Sequence, residues 1–200
     1  MPQGATTDKQ RQFSAMKRGK ELYGSVVKVG SGRGFVVEDD SGKRYVITAA
    51  HCLPDLPPAH PGSYAHERTY NELIGPLASG TPDVWAECPF ADPVADLAIL
   101  GEPDGQELSK EWEAFDSFIE KATPLPISGR QIIRGYVLTL AEPFKWIEVS
   151  LTTHPGSVSI TEGVESGMSG SPILDEEGRA IAVISTSSIR DSAPVCLVGR

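Results

Sequence analysis

Residues 25–48 contain three short apolar runs separated by turn residues, in the order SVVKVGSGRGFVVEDDSGKRYVIT. The runs Ser25–Val29, Phe35–Glu38 and Arg44–Thr48 are rich in β-branched and aromatic side chains, which favours strands over helices. Asp39–Gly42, between the second and third runs, is a strong hairpin signal. This stretch therefore predicts a meander of antiparallel strands.

The same strand pattern recurs along the chain and is interrupted by one helical segment. Apolar residues at helical spacing predict a helix over Lys110–Ala122, with Ser109 as its N-cap and Pro124 just beyond its end. Many short strands separated by turn signals are typical of β-barrels and β-sandwiches. The further strand candidates are Glu72–Leu77, Val84–Phe90, Val94–Leu100, Ile132–Leu140, Trp146–Thr152, Ser157–Ile160, Pro172–Leu174, Ala180–Thr186 and Val195–Val198.

Composition and charge limit the classes of function. The 200 residues are 40% hydrophobic and 22% charged, which is a globular balance, and the net charge is −9. Residues 1–20 hold five basic side chains and one acidic side chain, so the acidic excess lies in the rest of the chain. Because an acidic body repels phosphate backbones, we expect no nucleic-acid partner. We expect residues 1–20 to be a flexible basic tail, and contact with an acidic partner or a membrane is the alternative.

Cysteine usage and apolar runs bear on the compartment. The three cysteines, Cys52, Cys88 and Cys196, form no C-x-x-C pair, and an odd number cannot be fully paired within one chain. These features predict reduced thiols, a cytoplasmic protein and no structural zinc site. No apolar run approaches the ~20 residues that span a bilayer, and the first twenty residues contain no apolar signal segment. We therefore expect no membrane association.

Two short motifs place a histidine and an aspartate next to predicted strands. His51 follows Ala49 and Ala50, whose small side chains allow a tight backbone turn and leave room for the imidazole. An imidazole can take and return a proton near neutral pH, which suits general-base catalysis. Asp96 begins the apolar run that ends at Leu100. A carboxylate there either faces solvent at the strand edge or accepts a hydrogen bond from a histidine N–H.

A third motif, Gly167–Pro172, surrounds Ser169 with glycines. Glycine adopts backbone angles that other residues reach only with strain, so this turn can expose the Ser169 hydroxyl and aim consecutive N–H groups at one point. Such donors stabilise an oxyanion, and removing one typically costs ~10²–10³ in rate. The alternative is an ordinary flexible loop.

The three motifs occur in the order His, Asp, Ser, which is one of the known triad orders. With these local contexts the chain resembles the chymotrypsin-like (trypsin-like) serine proteases, and most of all the bacterial members without disulfides. The similarity runs from about residue 23 onward, and four pieces carry it: Gly32–Val37, Thr48–Cys52, Asp96–Leu100 and Gly167–Pro172.

The resemblance implies an all-β fold of two antiparallel six-stranded β-barrels with the active site between them. With the one predicted helix as a connection, this places an N-terminal barrel at residues 21–101, a linker with the helix at 102–123 and a C-terminal barrel at 124–200. The implied activity is hydrolysis of peptide bonds in a protein or peptide substrate through an acyl-enzyme intermediate.

The resemblance also implies a role for each motif residue. His51 is the general base, Asp96 orients it and Ser169 is the nucleophile. The backbone N–H groups of Gly167 and Ser169 form the oxyanion hole. Ser185 supports the aspartate, although Ser187 and Ser188 lie close by in the sequence. No metal or organic cofactor is expected, and the remaining histidines are assigned to the surface: His60, His66 and His154.

Two positions depart from the pattern of the digestive enzymes. Met168 stands where those enzymes have an aspartate that pairs with a newly cut N-terminus, so we expect no activation by that route. Gly163, six residues before the nucleophile, stands where trypsin-type enzymes have an acid. With apolar Val164 beside it, this predicts a pocket for an uncharged side chain before the cut bond, while an inward-pointing Glu165 is the alternative. Without its usual disulfide partner, Cys52 is expected to be a small buried apolar residue.

Two other interpretations of the same sequence stay open. The chain could be a catalytically weak or inactive peptide-binding or scaffold module that keeps the cleft. It could also be a protease that is latent until a regulatory protein partner arrives, with the basic tail and the Pro-rich loop at 54–63 as contact regions.

Overall fold

In a computed structural model of the chain, the described residues contain twelve β-strands, which form two closed antiparallel barrels. The structure describes residues 22–58, 67–78, 81–129, 133–154, 157–160, 164–185 and 195–196. The predicted all-β fold of two six-stranded barrels with one helix is confirmed. The predicted basic tail at residues 1–20 lies outside the described residues.

The first barrel has the strand order β1-β2-β3-β6-β5-β4, and β4 pairs with β1 to close it. Alternation along the strands turns apolar side chains inward, and Phe35 and Val46 are completely buried. The β2–β3 hairpin turns where the sequence predicts it, with the Asp39 carboxylate accepting hydrogen bonds from the N–H groups of Ser41 and Lys43. Its strands are β1 (Val26–Val29), β2 (Gly32–Glu38), β3 (Arg44–Thr48), β4 (Thr69–Pro76), β5 (Val84–Asp92) and β6 (Leu97–Gly101).

The second barrel has the strand order β10-β11-β12-β9-β8-β7. Two strand pairings in this barrel are brief: Leu174 lies opposite Tyr136 where β10 meets β7, and Val195 lies opposite Ser157 where β12 meets β9. Its core includes an apolar cluster around Val137, whereas Leu174, Ala180 and Val183 of the same barrel pack into the apolar cluster of the first barrel. Its strands are β7 (Arg134–Leu138), β8 (Trp146–His154), β9 (Ser157–Ile160), β10 (Pro172–Leu174), β11 (Ala180–Val183) and β12 (Val195–Cys196).

One α-helix, α1 (Ser109–Ile119), follows β6 and packs on the first barrel through its buried residues Phe115 and Ile119. The predicted N-cap is wrong, because Leu108 occupies that position and accepts the first helical hydrogen bond from Trp112. The helix also ends three residues before the predicted Ala122. Its eleven residues are too few to cross a bilayer, and no other described helix is long enough and apolar enough to do so.

Candidate active site

His51 and Asp96 lie side by side because neighbouring strands of the first barrel deliver them. Strands β3 and β6 pair with Thr48 opposite Ala98, so the residues after β3 lie beside those before β6. His51 occupies a one-turn 3₁₀ helix directly after β3. Its ring Nδ1 lies 2.7 Å from Asp96 Oδ2, and its backbone N–H donates to Asp96 Oδ1 at 2.9 Å. The carboxylate therefore fixes both the ring and the backbone of His51.

Asp96 accepts a third hydrogen bond, from the second barrel. The Ser185 hydroxyl, just after β11, donates to Asp96 Oδ2 at 2.7 Å. The carboxylate thus receives hydrogen bonds on both of its oxygens, which compensates for its partial burial. The backbone of Asp96 has a φ of +51°, in the left-handed region that aspartate and asparagine tolerate better than most residues. Of the serines weighed for this role, Ser185 makes the contact, while Ser187 and Ser188 lie outside the described residues.

Ser169 lies in the segment that precedes β10 and is held against the first barrel by its backbone. The Arg33 N–H of β2 donates to the Ser169 carbonyl at 2.8 Å. The Arg33 carbonyl in turn accepts the Thr48 hydroxyl at 2.7 Å, three residues before His51. A Cβ on Gly170 would overlap that carbonyl, so the close approach requires glycine.

The segment around Ser169 is also hydrogen-bonded to the segment that carries Ser185. The Gly170 N–H donates to the Ile184 carbonyl at 2.7 Å, and the Ile184 N–H donates to Ser171 at 2.9 Å. Ser169 and Ser185 are thus held by neighbouring segments of the second barrel. Within the described residues, no hydrogen bond joins Ser169 Oγ to the His51 ring. Such bonds are often long in free enzymes and shorten when substrate binds.

A tight turn precedes Ser169. The Met168 N–H donates to the Glu165 carbonyl at 3.1 Å, and Gly167 at the third position has a φ of +94°, which is the pattern of a type II turn. In the part of the chain that the structure describes, the N–H groups of Gly167 and Ser169 have no acceptor. These two backbone N–H groups are thus available to donate hydrogen bonds to a ligand.

The remaining predicted positions have mixed outcomes. Gly163 lies outside the described residues, and Val164 is half-buried against the second core. Met168 is completely buried, with its sulfur 3.2 Å from the Glu165 nitrogen. His60 and His66 lie outside the described residues, as does the side chain of His154.

The cysteine predictions can be checked at two positions. Cys52 and Cys88 are buried free thiols, as expected for Cys52, and the side chain of Cys196 is not described. Burial raises the pKa of each thiol to about 11, with smaller opposing contributions from hydrogen bonds. Both are therefore protonated at neutral pH.

Comparison with known families decides the identity. The family model for a trypsin-like peptidase domain matches residues 32–183, which is most of the chain. The chain belongs to this family. The match covers all four sequence pieces that carry the resemblance, and it includes His51, Asp96 and Ser169. A search of curated protein sequences finds no match.

Solved structures of serine proteases share the fold of this trypsin-like peptidase domain. A serine protease of a human pathogenic astrovirus has a TM-score of 0.59 at 16% identity, over 88% of this chain and 91% of that one. The Rv3671c protease of Mycobacterium tuberculosis, in an inactive form, has a TM-score of 0.58 at 20% identity, over 98% and 94%. A serine endoprotease from Yersinia pestis has a TM-score of 0.59 at 13% identity, over 96% and 64%. At these identities the likeness shows the fold.

The sequence did not single out Arg33 and Thr48, whose hydrogen bonds connect the Ser169 segment to the strand that leads to His51. Arg33 is 3% exposed although it is charged, and it lies between two glycines in a strand that is otherwise apolar up to its last residue, the exposed Glu38. A charged residue in the interior of an apolar strand was the available signal, because a buried charge needs partners.

Proposed function

We propose that this trypsin-like peptidase is an active serine endopeptidase that cuts peptide bonds with Ser169, His51 and Asp96. The observation that carries the proposal is the hydrogen-bonded chain from Ser185 through Asp96 to His51, which joins the two barrels beside the nucleophile segment. A histidine ring held by a carboxylate at 2.7 Å has one nitrogen fixed as a donor and the other free to accept a proton.

The steps of the reaction follow from these positions. His51 Nε2 would take the Ser169 proton as Oγ attacks the peptide carbonyl carbon, and Asp96 would stabilise the resulting imidazolium. The N–H groups of Gly167 and Ser169 would donate to the oxyanion of the tetrahedral intermediate. His51 would then protonate the leaving amine, which breaks the peptide bond and leaves an acyl-enzyme. Water, activated by the same imidazole, would release the acyl group.

Substrate preference and control are part of the proposal. We expect an uncharged side chain before the cut bond, because neither Gly163 nor Val164 offers a charge to a basic side chain. A cleavage profile dominated by arginine or lysine would contradict this preference. We also propose that protein partners include a regulatory protein that triggers a latent enzyme. The buried free thiols Cys52 and Cys88 support a reducing cytoplasmic setting.

The test is labelling and turnover of the Ser169→Ala variant. A peptidyl phosphonate should label the parent chain at Ser169, and Ser169→Ala should lose both labelling and cleavage, with a drop on the order of 10⁶-fold in kcat. Ser117→Ala is the matched control, because Ser117 is exposed on α1 away from the site and its loss should leave turnover unchanged. Cleavage of a peptide library that Ser169→Ala retains in full would refute the proposal.

The alternative function is a peptide-binding module that does not cut. It predicts that the parent chain and Ser169→Ala bind peptides with equal affinity and that neither releases products. No contact in the described residues favours this alternative over catalysis, and the two functions differ in whether new peptide termini appear.

A further inference from the structure

Arg33 is a buried cation in β2 whose guanidinium reaches the second barrel. Its Nη1 donates to the Leu138 carbonyl at 3.1 Å, and its Nη2 donates to Thr139 and Leu140 at 3.0 Å each. Leu138 ends β7, so the three acceptors are consecutive carbonyls at the start of the β7–β8 loop. Within the described residues, the guanidinium pairs with no carboxylate. The charge is therefore compensated by backbone dipoles of the other barrel.

The loop that Arg33 holds is braced on its other sides. The Thr139 N–H donates to the Lys145 carbonyl at 2.9 Å, which closes the base of the loop. The Arg33 guanidinium carbon lies 5.6 Å from the centre of the Phe144 ring, and Phe144 packs against Tyr23 with ring centres 5.1 Å apart. Cation–π and ring–ring contacts of this kind add to the hydrogen bonds. The loop therefore has a fixed shape relative to the first barrel.

This loop contacts the turn that precedes the nucleophile. A Cβ on Gly167 would lie 3.2 Å from Leu140 Cδ1, so the Leu140 side chain packs directly against Gly167. The Leu140 carbonyl is one of the three that Arg33 holds. A continuous path of contacts thus runs from Arg33 through Leu140 to Gly167. The negative charge of Glu165, in the same turn, also acts on the guanidinium.

Met168, the residue directly before Ser169, is completely buried and carries no charge. The backbone N–H of Arg33 holds the carbonyl of Ser169, which directly follows the turn, and its guanidinium holds the carbonyl of Leu140, whose side chain packs on Gly167 within the turn.

We propose that Arg33 is a positioning residue that holds the Glu165–Met168 turn in the conformation that binds the oxyanion, acting through Leu140. The inference rests on the proposed function, because it assigns a role within that reaction. Arginine suits the role because its planar fork reaches several carbonyls at once, which a lysine ammonium on a flexible stem does not.

The test compares Arg33→Met and Arg33→Lys with Arg44→Met. Arg44 is the matched control, because its Nη1 also donates to three carbonyls, at Ile119, Glu120 and Ala122, but on the far side of the first barrel. Its loss should leave kcat/KM unchanged. We expect Arg33→Met to lower kcat/KM ~10–100-fold, since misplacing catalytic groups by about 1 Å costs rate on this scale. Arg33→Lys should fall between the parent and Arg33→Met.

A second measurement separates positioning from a general structural role. The inhibition constant of a peptide aldehyde, which forms an oxyanion-like adduct, should weaken by the same factor as kcat/KM. Peptide affinity, measured in the Ser169→Ala background, should stay within about twofold, because the substrate does not yet carry the oxyanion charge. Aldehyde affinity equal to that of the parent in the folded fraction of Arg33→Met would overturn the inference.

A third variant covers the case in which Arg33→Met does not fold. Leu140→Ala keeps the buried cation and the carbonyl that it holds, and it removes the side chain that packs on Gly167 and on the edge of the second core. The aldehyde affinity and kcat/KM of this variant should therefore fall together, by a smaller factor than in Arg33→Met. Parent-like aldehyde affinity in Leu140→Ala would also overturn the inference. A parent chain that is inactive both alone and with cellular extract would overturn the proposed function and this inference together, whereas an active parent with unchanged Arg33 and Leu140 variants would overturn this inference alone.

Discussion

Replacing Asp96 by asparagine changes one atom of the carboxylate and tests whether it orients His51. The two oxygens have different partners: Oδ1 accepts the His51 backbone N–H, and Oδ2 accepts the ring Nδ1 and the Ser185 hydroxyl. The backbone N–H can only donate, so the amide oxygen of asparagine must stay at the Oδ1 position. The amide NH₂ group then faces the His51 ring.

That arrangement forces the wrong tautomer of the imidazole. With an NH₂ donor in front of it, His51 Nδ1 must accept, so the ring proton moves to Nε2 and His51 can no longer take the Ser169 proton. The Ser185 hydroxyl adapts, because it can rotate and accept. We therefore expect kcat to fall about 10⁴-fold, which is about 5.5 kcal/mol of transition-state stabilisation. The φ of +51° is no obstacle, because asparagine tolerates the left-handed region as well as aspartate does.

The assay is peptide hydrolysis at neutral pH, with circular dichroism to confirm folding. Asp92→Asn is the matched control in the same turn, because Asp92 Oδ1 accepts the N–H groups of Val94 and Ala95 and an amide oxygen can do the same. Its activity should equal that of the parent. If Asp96→Asn retains kcat within about tenfold of the parent, the carboxylate does not set the tautomer and the reasoning from these contacts fails.

Three further perturbations test neighbouring contacts. Ser185→Ala removes a hydrogen bond to a charged group, worth roughly 1.5–3 kcal/mol, so kcat/KM should fall about 10- to 100-fold, and an unchanged rate would deny the hydroxyl its role. Gly170→Ala places a Cβ on a β2 carbonyl at a φ of +81°, so its urea midpoint should drop by a large margin, and parent-like stability would contradict the close approach. In a Cys196→Ser chain, Cys52 and Cys88 should resist alkylation at pH 8, because burial raises the pKa of both thiols to about 11, and should react only after unfolding; fast labelling of the folded chain would oppose this.

Local patterns were enough to predict the strands, and the resemblance to the trypsin-like serine proteases supplied the residues that meet around Asp96. Each strand carries its own alternation or apolar run, and each motif residue lies at the end of a strand where the chain must turn. The less accurate predictions concern strand boundaries and pairings that depend on contacts with other strands. β4 begins at Thr69 rather than Glu72, and its pairing with β5 is irregular between Tyr70 and Ile74. No local preference encodes an irregularity that depends on the partner strand.

The N-cap of α1 and the hydrogen-bond partners of Arg33 could not be predicted, because both depend on contacts that the local sequence pattern does not describe. Serine is a favoured N-cap residue, yet Leu108 takes that place, because its N–H donates to the Asp104 carbonyl and the resulting turn leads directly into α1. The partners of Arg33 lie 105 to 107 residues away in the sequence. Spacing rules describe neighbours along a strand or helix, and they carry no information about such distant acceptors.

The contacts between the barrels explain why the site tolerates no relative shift of its halves. His51 and Asp96 belong to the first barrel, whereas Ser169 and Ser185 belong to the second. Hydrogen bonds of 2.7–3.1 Å cross the junction from the Ser185 hydroxyl to Asp96, from the Arg33 N–H to the Ser169 carbonyl and from the Arg33 guanidinium to the β7–β8 loop. A displacement of about 1 Å would break all of them together, since such bonds weaken steeply beyond their ordinary length. The geometry around the nucleophile is therefore a property of the barrel junction, and neither barrel core can set it alone.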